Sequence, residues 1–448
     1  DNYPMRPHDQ GFQQTLWHKS GGITQVPDQP NSYFDSILWK NSERIKAEGY
    51  CTDVFFEAAT EFIEENRDQP VFVYLATNAP HTPLEIADEY ADPYRKAGLD
   101  DVTARVYGMV TNIDENFGRL LAKLDELGLR ENTIVVFLTD NGPQQPRYVA
   151  DLNGRKGSVY EGGIRVPCFV QWPAAVKGGR QIDTIAAHID WLPTLLDICG
   201  VAAPQDVQID GRSLKPLLTT IPNGKPRPAV APDSSTARKL FLQCHRSLEP
   251  KRYQNAAVVT QRFKLVFSPD AFGREDFTPT DPPRMELYDL AADPGETQDV
   301  AEKHPDVVTE LRGAYDRWFD EMRAARKFEP GVIVLGTKHE NPAVLCLYQD
   351  ATWRDGRPQG WSVRIAEGGR YRLDIHRGEE TEPGTLVVTW QGETQRRPLE
   401  NGETAATFDL SAGTGTLDIR IEDSQGNRVP PMGNSTVGDV RVERLKTP

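Results

Sequence analysis

The run Thr133-Ile-Val-Val-Phe-Leu-Thr-Asp140-Asn141-Gly142 limits the possible folds of this chain more than any other stretch. An unbroken apolar, β-branched run reads as a strand buried on both faces, which is the pattern of parallel sheets covered by helices. It stops abruptly at Asp-Asn-Gly, so the carboxyl end of the strand delivers two oxygen-bearing side chains into the crevice where open α/β folds bind ligands. Adjacent carboxylate and carboxamide oxygens suit a hard divalent cation such as calcium. Lys156, in the following Gly154-Arg155-Lys156-Gly157, could neutralise an anion held on that cation.

The chain around this run is 448 residues long, beyond the size at which one core keeps growing, so two or three structural units are expected. With 38% hydrophobic and 26% charged residues, and every apolar run far shorter than a bilayer span, the composition is globular with no membrane span. A net charge of −15 argues against a nucleic-acid partner, which would need concentrated Lys and Arg. It does not exclude an anionic small molecule, because a few pocket cations and a metal dominate locally. Cys51, Cys168, Cys199, Cys244 and Cys346 are scattered without a C-x-x-C pair and read mostly as buried thiols, with a disulfide left open.

Periodicity divides the chain. Phe55, Phe56, Ala59, Phe62 and Ile63 mark an amphipathic helix, and Val71-Phe-Val-Tyr-Leu-Ala76 a buried strand. The long three- and four-residue spacing from Val106 to Leu127 marks a helix packed on a sheet. Strands at 133–139 and 165–172 and a helix at 190–199 complete the alternation. The expected fold class is therefore α/β: a mainly parallel sheet sandwiched by helices over residues 1–238. A Pro-, Thr- and Ser-rich linker over 219–237 leads to a small antiparallel α+β subdomain over 239–330, with strands at 239–243, 256–267 and 286–290 and a helix through Trp318 and Phe319. Period-two strands, such as 361–365, 371–375, 386–390 and 416–421, make residues 331–448 a β-sandwich.

The chemistry-bearing residues each have a bland reading. Asp140-Asn141-Gly142 alone is a common turn; His81, in Asn78-Ala-Pro-His81-Thr-Pro83, is an ordinary structural histidine, and Lys156 a solvated loop lysine. Together these segments resemble the sulfatase family of the alkaline-phosphatase superfamily. The shared motifs are Thr-Asp-Asn-Gly, Pro-His-x-Pro, Gly-x-Lys-Gly with Glu161-Gly-Gly-Ile-Arg-Val-Pro167, His188-Ile-Asp190-Trp-Leu-Pro-Thr194, and Asn2-Tyr-Pro-Met-Arg-Pro-His-Asp-Gln-Gly-Phe12. The resemblance spans about residues 1–330. It implies an alkaline-phosphatase-like fold, Asp140 and Asn141 as calcium ligands, Lys156 on the sulfate oxygens, and His81 beside the leaving oxygen. The helix after His188 chiefly packs, and either Arg155 or Arg165 pairs with Glu161. His18, His245 and Arg246 are weaker candidates for lining a substrate pocket.

The resemblance also implies a formylglycine, made from cysteine or serine in a Cys/Ser-x-Pro/Ala-x-Arg signature, together with paired aspartates that complete the metal site. None of the five cysteines stands in that signature. The expectation is that the segment carrying them precedes Asn2, that the intact protein is active, and that this chain alone is not. The leading function is hydrolysis of sulfate esters, carbohydrate sulfates among them, in a periplasmic or secreted setting. The alternatives are a phosphoester or phosphonate monoester hydrolase of the same superfamily, and a non-catalytic glycan-binding protein using Trp353, Trp361 and Trp390, tryptophans that a sandwich core would also use.

Overall fold

The computed structural model describes all residues except 1, 20, 26, 27, 29, 146, 220–237, 246–248, 272–277, 279, 330, 347–350, 355, 356, 376–382, 430–438, 447 and 448. The expected linker therefore lies mostly outside the described residues. The chain forms two compact units, one of residues 1–127 with 330–448 and the other of residues 128–329.

The amino-terminal part of the first unit carries a short antiparallel sheet, β1 (Leu16–Trp17), β2 (Ile37–Lys40) and β3 (Glu43–Lys46), and three helices, α1 (Cys51–Glu65), α2 (Asp88–Lys96) and α3 (Asp101–Glu126). The helix α3 starts where the Asp100 carboxylate accepts the Thr103 backbone N–H at 3.0 Å. It packs on α1 through polar groups, the Asp53 carboxylate accepting from Asn112 at 2.9 Å and Asn116 at 2.6 Å. The expected strand at 71–76 does not form. Its residues pair with no strand among the described residues, and without a ladder apolar side chains are left exposed, Phe72 60% and Tyr74 74%.

In the second unit β4 (Val135–Leu138) leads through α4 (Glu161–Ile164) to β5 (Cys168–Gln171). These two strands pair antiparallel, Val135 opposite Gln171 and Leu138 opposite Cys168, where a parallel neighbour was expected. Short helices α5 (Trp191–Cys199) and α6 (Lys215–Thr219) follow. A meander of β6 (Leu240–Gln243), β7 (Ala256–Val259), β8 (Phe263–Phe267) and β9 (Met285–Asp289) carries α7 (Pro305–Arg326). The single strand expected over 256–267 is a hairpin, because Thr260 turns the chain: its backbone N–H donates to Phe263 O at 2.8 Å and its hydroxyl accepts the Phe263 N–H at 2.8 Å.

Alternation along β8 gives this sheet two different faces. Leu265 and Phe267 meet Leu311, Tyr315 and Phe319 of α7. On the opposite face Val266 packs with Val159, and Lys264, with no exposed surface, ion-pairs with Glu296 at 2.8 Å and Glu161 at 3.1 Å. The Glu161 N–H donates to Glu296 at 2.6 Å, and Arg165 binds the outer oxygen of Glu161 at 2.5 Å, so Arg165 is its arginine partner. Burial pushes the Glu296 carboxyl above its usual range against the pull of Lys264. Tyr160 donates to Glu286 at 2.5 Å and Asn255 to Gly157 O at 2.7 Å, so the 154–163 segment is fastened to the sheet at three places.

Back in the first unit, the carboxy-terminal residues form the expected sandwich from β10 (Ile333–Leu335), β11 (Ala343–Leu345), β12 (Ala351–Arg354), β13 (Arg357–Ile365), β14 (Gly369–Ile375), β15 (Gly384–Trp390), β16 (Glu393–Leu399), β17 (Ala405–Leu410), β18 (Gly413–Glu422) and β19 (Val440–Arg444). One sheet runs β10-β13-β18-β15-β16 with β12 on β13, the other β11-β19-β14-β17. Trp361 and Trp390 lie in its core, with their indole N–H groups satisfied by Cys346 O at 3.2 Å and Ser411 O at 3.0 Å, so neither offers a sugar-stacking face. The Trp353 side chain lies outside what is described. The amino-terminal residues are tied to this sandwich: Tyr3 N–H and the Lys19 ammonium both bind Glu340, at 2.7 and 2.8 Å.

The cysteines differ from expectation. Cys51 and Cys346 are buried, with desolvation pushing the Cys51 thiol up to about 12, whereas Cys168, Cys199 and Cys244 are exposed, and none of the five is in a disulfide. Cys168 and Cys199 stand on elements too short and too open to cover them.

Replacing Lys264 with Met is expected to leave two buried carboxylates facing each other and to lower unfolding stability by about 3–5 kcal/mol. Urea unfolding of Lys264→Met should show this, and adding Glu296→Gln should return part of the loss. An unchanged midpoint for the single variant would mean that the buried triad does not hold the segment.

Candidate active site

Two loops come together at the end of β4. The Gly142 N–H donates to Gly163 O at 2.9 Å, and the Lys156 N–H to Pro143 O at 3.0 Å, so the Asp140-Asn141 turn and the Lys156 loop lie side by side. Glycine is required at this crossing, since a Cβ on Gly142 would fall inside the Gly162 carbonyl oxygen. Gly154 has φ +87°, the left-handed conformation that turns the chain toward Arg155 and Lys156. His188 adds a support: its Nε2 bonds Thr139 O at 2.9 Å, directly before Asp140, so the motif expected chiefly to pack also holds the turn.

Within this arrangement the reactive side chains are free. Asp140 is exposed, and its carboxylate has no hydrogen bond or ion pair among the described residues. The Asn141 Nδ2 donates to Gly142 O at 3.0 Å, which leaves Oδ1 open as an acceptor. Lys156 is half-buried and its ammonium has no partner among the described residues. An anionic carboxylate, a neutral amide oxygen and one unpaired ammonium are therefore presented from adjacent backbone, a set that fits a hard cation and an oxyanion. Among the described residues no cluster of three or more His, Cys, Asp or Glu side chains is assembled, so Asp140 and Asn141 alone would fill only part of the shell of six to eight oxygens that calcium takes.

The other expected residues have surroundings of their own. His81 and His18 belong to the first unit. The His81 Nδ1 donates to Thr82 O at 2.8 Å, its backbone N–H to Asn78 O at 2.9 Å, and its carbonyl accepts from the Tyr33 hydroxyl at 2.9 Å, so the ring is fixed with Nε2 unbonded among the described residues. His18 is half-buried, and burial holds its imidazole below the usual range, partly countered by its bond to Lys19 O and by Asn78. His245 is half-buried at the end of β6, and Arg246 lies outside the described residues.

A cavity of about 370 Å³ adjoins the Lys156 loop, lined by Pro143, Gln145, Arg147, Asn153, Arg155 and Tyr160 among others. Sequence reasoning passed over Arg147. The signal available was an arginine in the Pro-Gln-Gln-Pro-Arg147 stretch between the Asp140 and Lys156 motifs.

Comparison with known proteins places this geometry. The Sulfatase family model matches residues 2–201, and the model for the carboxy-terminal region of N-sulphoglucosamine sulphohydrolase matches residues 155–317. An N-acetylgalactosamine-6-O-sulfatase of Bacteroides thetaiotaomicron is 29% identical over 294 residues, covering 62% of this chain and 51% of that protein. Human arylsulfatase A is 29% identical over 312 residues, covering 65% of this chain and 56% of its own length. The chain thus spans about half the length of the curated relatives it matches. Among solved structures, Ps i-CgsB in complex with k-i-k-neocarrahexaose superposes with a TM-score of 0.59 at 24% identity, covering 71% of this chain and 68% of that one. BT4656 in complex with its substrate D-glucosamine-2-N,6-O-disulfate superposes with a TM-score of 0.53 at 20% identity, covering 72% and 78%. These likenesses establish the α/β, alkaline-phosphatase-like fold class, and through the residues from Asn2 to Arg317 the chain belongs to the sulfatase family.

Proposed function

We propose that the chain forms part of a sulfuric ester hydrolase acting on sulfated carbohydrates in a periplasmic or secreted setting, with residues 128–329 presenting the sulfate-binding surface. The observation that supports this reading is the pairing of an unpartnered Asp140 and Asn141 Oδ1 with an unpartnered Lys156 on loops joined by backbone hydrogen bonds of 2.9 and 3.0 Å. Asp140 and Asn141 would hold a divalent cation, calcium by their oxygen chemistry, which when bound withdraws charge from the sulfate oxygens. The Lys156 ammonium counters charge that accumulates on the same oxygens. The His81 Nδ1 is committed to Thr82 O, which leaves Nε2 as the ring nitrogen able to carry a proton.

The nucleophile that family resemblance implies does not fit the residues present: no cysteine or serine in the sequence stands in a Cys/Ser-x-Pro/Ala-x-Arg signature. No attack step is assigned to this chain for that reason. The binding chemistry and the bond-breaking chemistry are accordingly separable, and each has its own measurement.

Calorimetric titration of the chain with a monosulfated sugar in calcium is expected to show binding that weakens about tenfold or more in Lys156→Gln. Chelation of the metal, or Asp140→Asn, should weaken it in the same direction. Equal binding by all variants would remove the site from these residues. Aryl sulfate turnover by the unmodified chain is expected to stay at the buffer rate, and turnover above it would show that the chain carries its own attacking group. Tighter binding of an aryl phosphate than of the matched aryl sulfate would move the substrate class to phosphoesters.

A further inference from the structure

The cavity beside the Lys156 loop is walled by groups that suit a second anion. Two arginines line it, Arg147 and Arg155, and among the described residues lining it there is no carboxylate. That is a local inversion in a chain of net charge −15. Arg147 is also incompletely satisfied. One of its terminal nitrogens donates to Gln145 Oε1 at 2.7 Å, which fixes the side chain, while Nε and Nη1 are buried with no hydrogen-bond partner among the described residues.

A buried cationic N–H without an acceptor is costly, and such a group in a native site calls for an acceptor that arrives with a ligand. The volume, about 370 Å³, is within the range of small-ligand sites. Pro143 joins the two regions: it lines the cavity, and its carbonyl accepts the Lys156 N–H at 3.0 Å. The cavity therefore adjoins the backbone of the Lys156 loop.

We propose that this cavity receives a second anionic substituent, a sulfate or a carboxylate, of the same sugar chain whose sulfate ester lies at Asp140 and Lys156, and that Arg147 is the residue that binds it. The inference rests on the sulfate-ester reading of the site and narrows its substrate class to polyanionic carbohydrates. Asn153 and Tyr160 line the remaining wall and leave room for the sugar ring. The arginine gives the charge-assisted contact, and its planar fork distinguishes an oxyanion from a hydroxyl.

Calorimetric titration of the full chain with three probes tests the assignment: a monosulfated disaccharide, its disulfated counterpart, and a monosulfated disaccharide containing a uronate. The unmodified chain is expected to bind the disulfated or the uronate probe about tenfold more tightly than the monosulfated one. Whichever probe shows the margin identifies the second group. Arg147→Gln should abolish that margin and leave monosulfate binding unchanged, while Lys156→Gln weakens all three probes. Arg147→Lys, which keeps the charge without the fork, should recover part of the margin, and this separates recognition from misfolding of the Gln variant. A margin absent in the unmodified chain, or undiminished in both Arg147 variants, overturns the inference while the sulfate-ester reading stands. Failure of all three probes to bind would overturn both.

Discussion

Lys264 is a cation without exposed surface, held between the carboxylates of Glu161 and Glu296, and the segment that leads from the candidate residue Lys156 is fastened through it. Moving an ammonium and two carboxylates out of water is expensive, and the exchange is favourable only when every charge meets a partner at close range. Here the extra hydrogen bond from the Glu161 N–H to Glu296 and the outer bond of Glu161 to Arg165 complete the set. The arrangement gives position more than stability: a hydrophobic trio could fill the same space, but it would not fix where Glu161 stops and Gly162 begins. From Glu161 the chain runs through Gly162 and Gly163: the Gly163 carbonyl accepts the Gly142 N–H of the Asp140 turn, and a Cβ on either glycine would meet the backbone of residues 153–158.

That chain of dependence explains why the small antiparallel sheet matters to a site at the end of another strand. One face of β8 makes an ordinary core with α7, built from Leu265, Phe267, Tyr315 and Phe319. The other face, one residue out of register, puts Lys264 and Val266 under the 159–161 segment. Period-two alternation thus lets a single strand serve a core on one side and a charged anchor on the other. The result at the surface is the reverse of this anchor: Lys264, Glu161 and Glu296 are paired with one another, while Asp140 and Lys156, near the end of β4, have no partner among the described residues. Unpaired charges held close together on a constrained backbone are what a site for a cation and an oxyanion needs before either arrives.

Much of this was legible in the sequence because it is local. The Asp140-Asn141-Gly142 and Gly154-to-Pro167 motifs carry their own turn glycines, so their loops could be read without knowing what they pack on, and the helices α1, α3 and α7 and the sandwich strands announce themselves through periods of 3.6 and 2. What failed was pairing. The 71–76 run has the composition of a buried strand, but a strand exists only through its neighbours, and none is present beside it among the described residues. For the same reason β5 was placed correctly while its antiparallel partnership with β4 was not, and Cys168 was taken as buried although it is exposed. Lys264 and Arg147 gave no sequence signal of comparable strength. A lysine between Phe263 and Leu265 looks like the solvent side of a strand, and only the sheet's second occupied face shows otherwise.

The distribution of aromatic residues bears on where recognition lies. In the sandwich Trp361 and Trp390 are core residues whose indole N–H groups are already satisfied by backbone carbonyls, so they contribute apolar packing and hold no exposed platform for a sugar ring. The 128–329 unit, by contrast, has a cavity with two guanidinium groups, a tyrosine wall and no carboxylate among its described lining residues. Neutral glycans are gripped largely by stacking, and polyanionic ones by fixed cations whose desolvation has been met in advance by folding. With Trp361 and Trp390 turned inward and an under-satisfied arginine lining a cavity that adjoins the Lys156 loop, the surface proposed for recognition is of the second kind. On that proposal the charge of the ligand, more than the shape of its rings, is what the site reads.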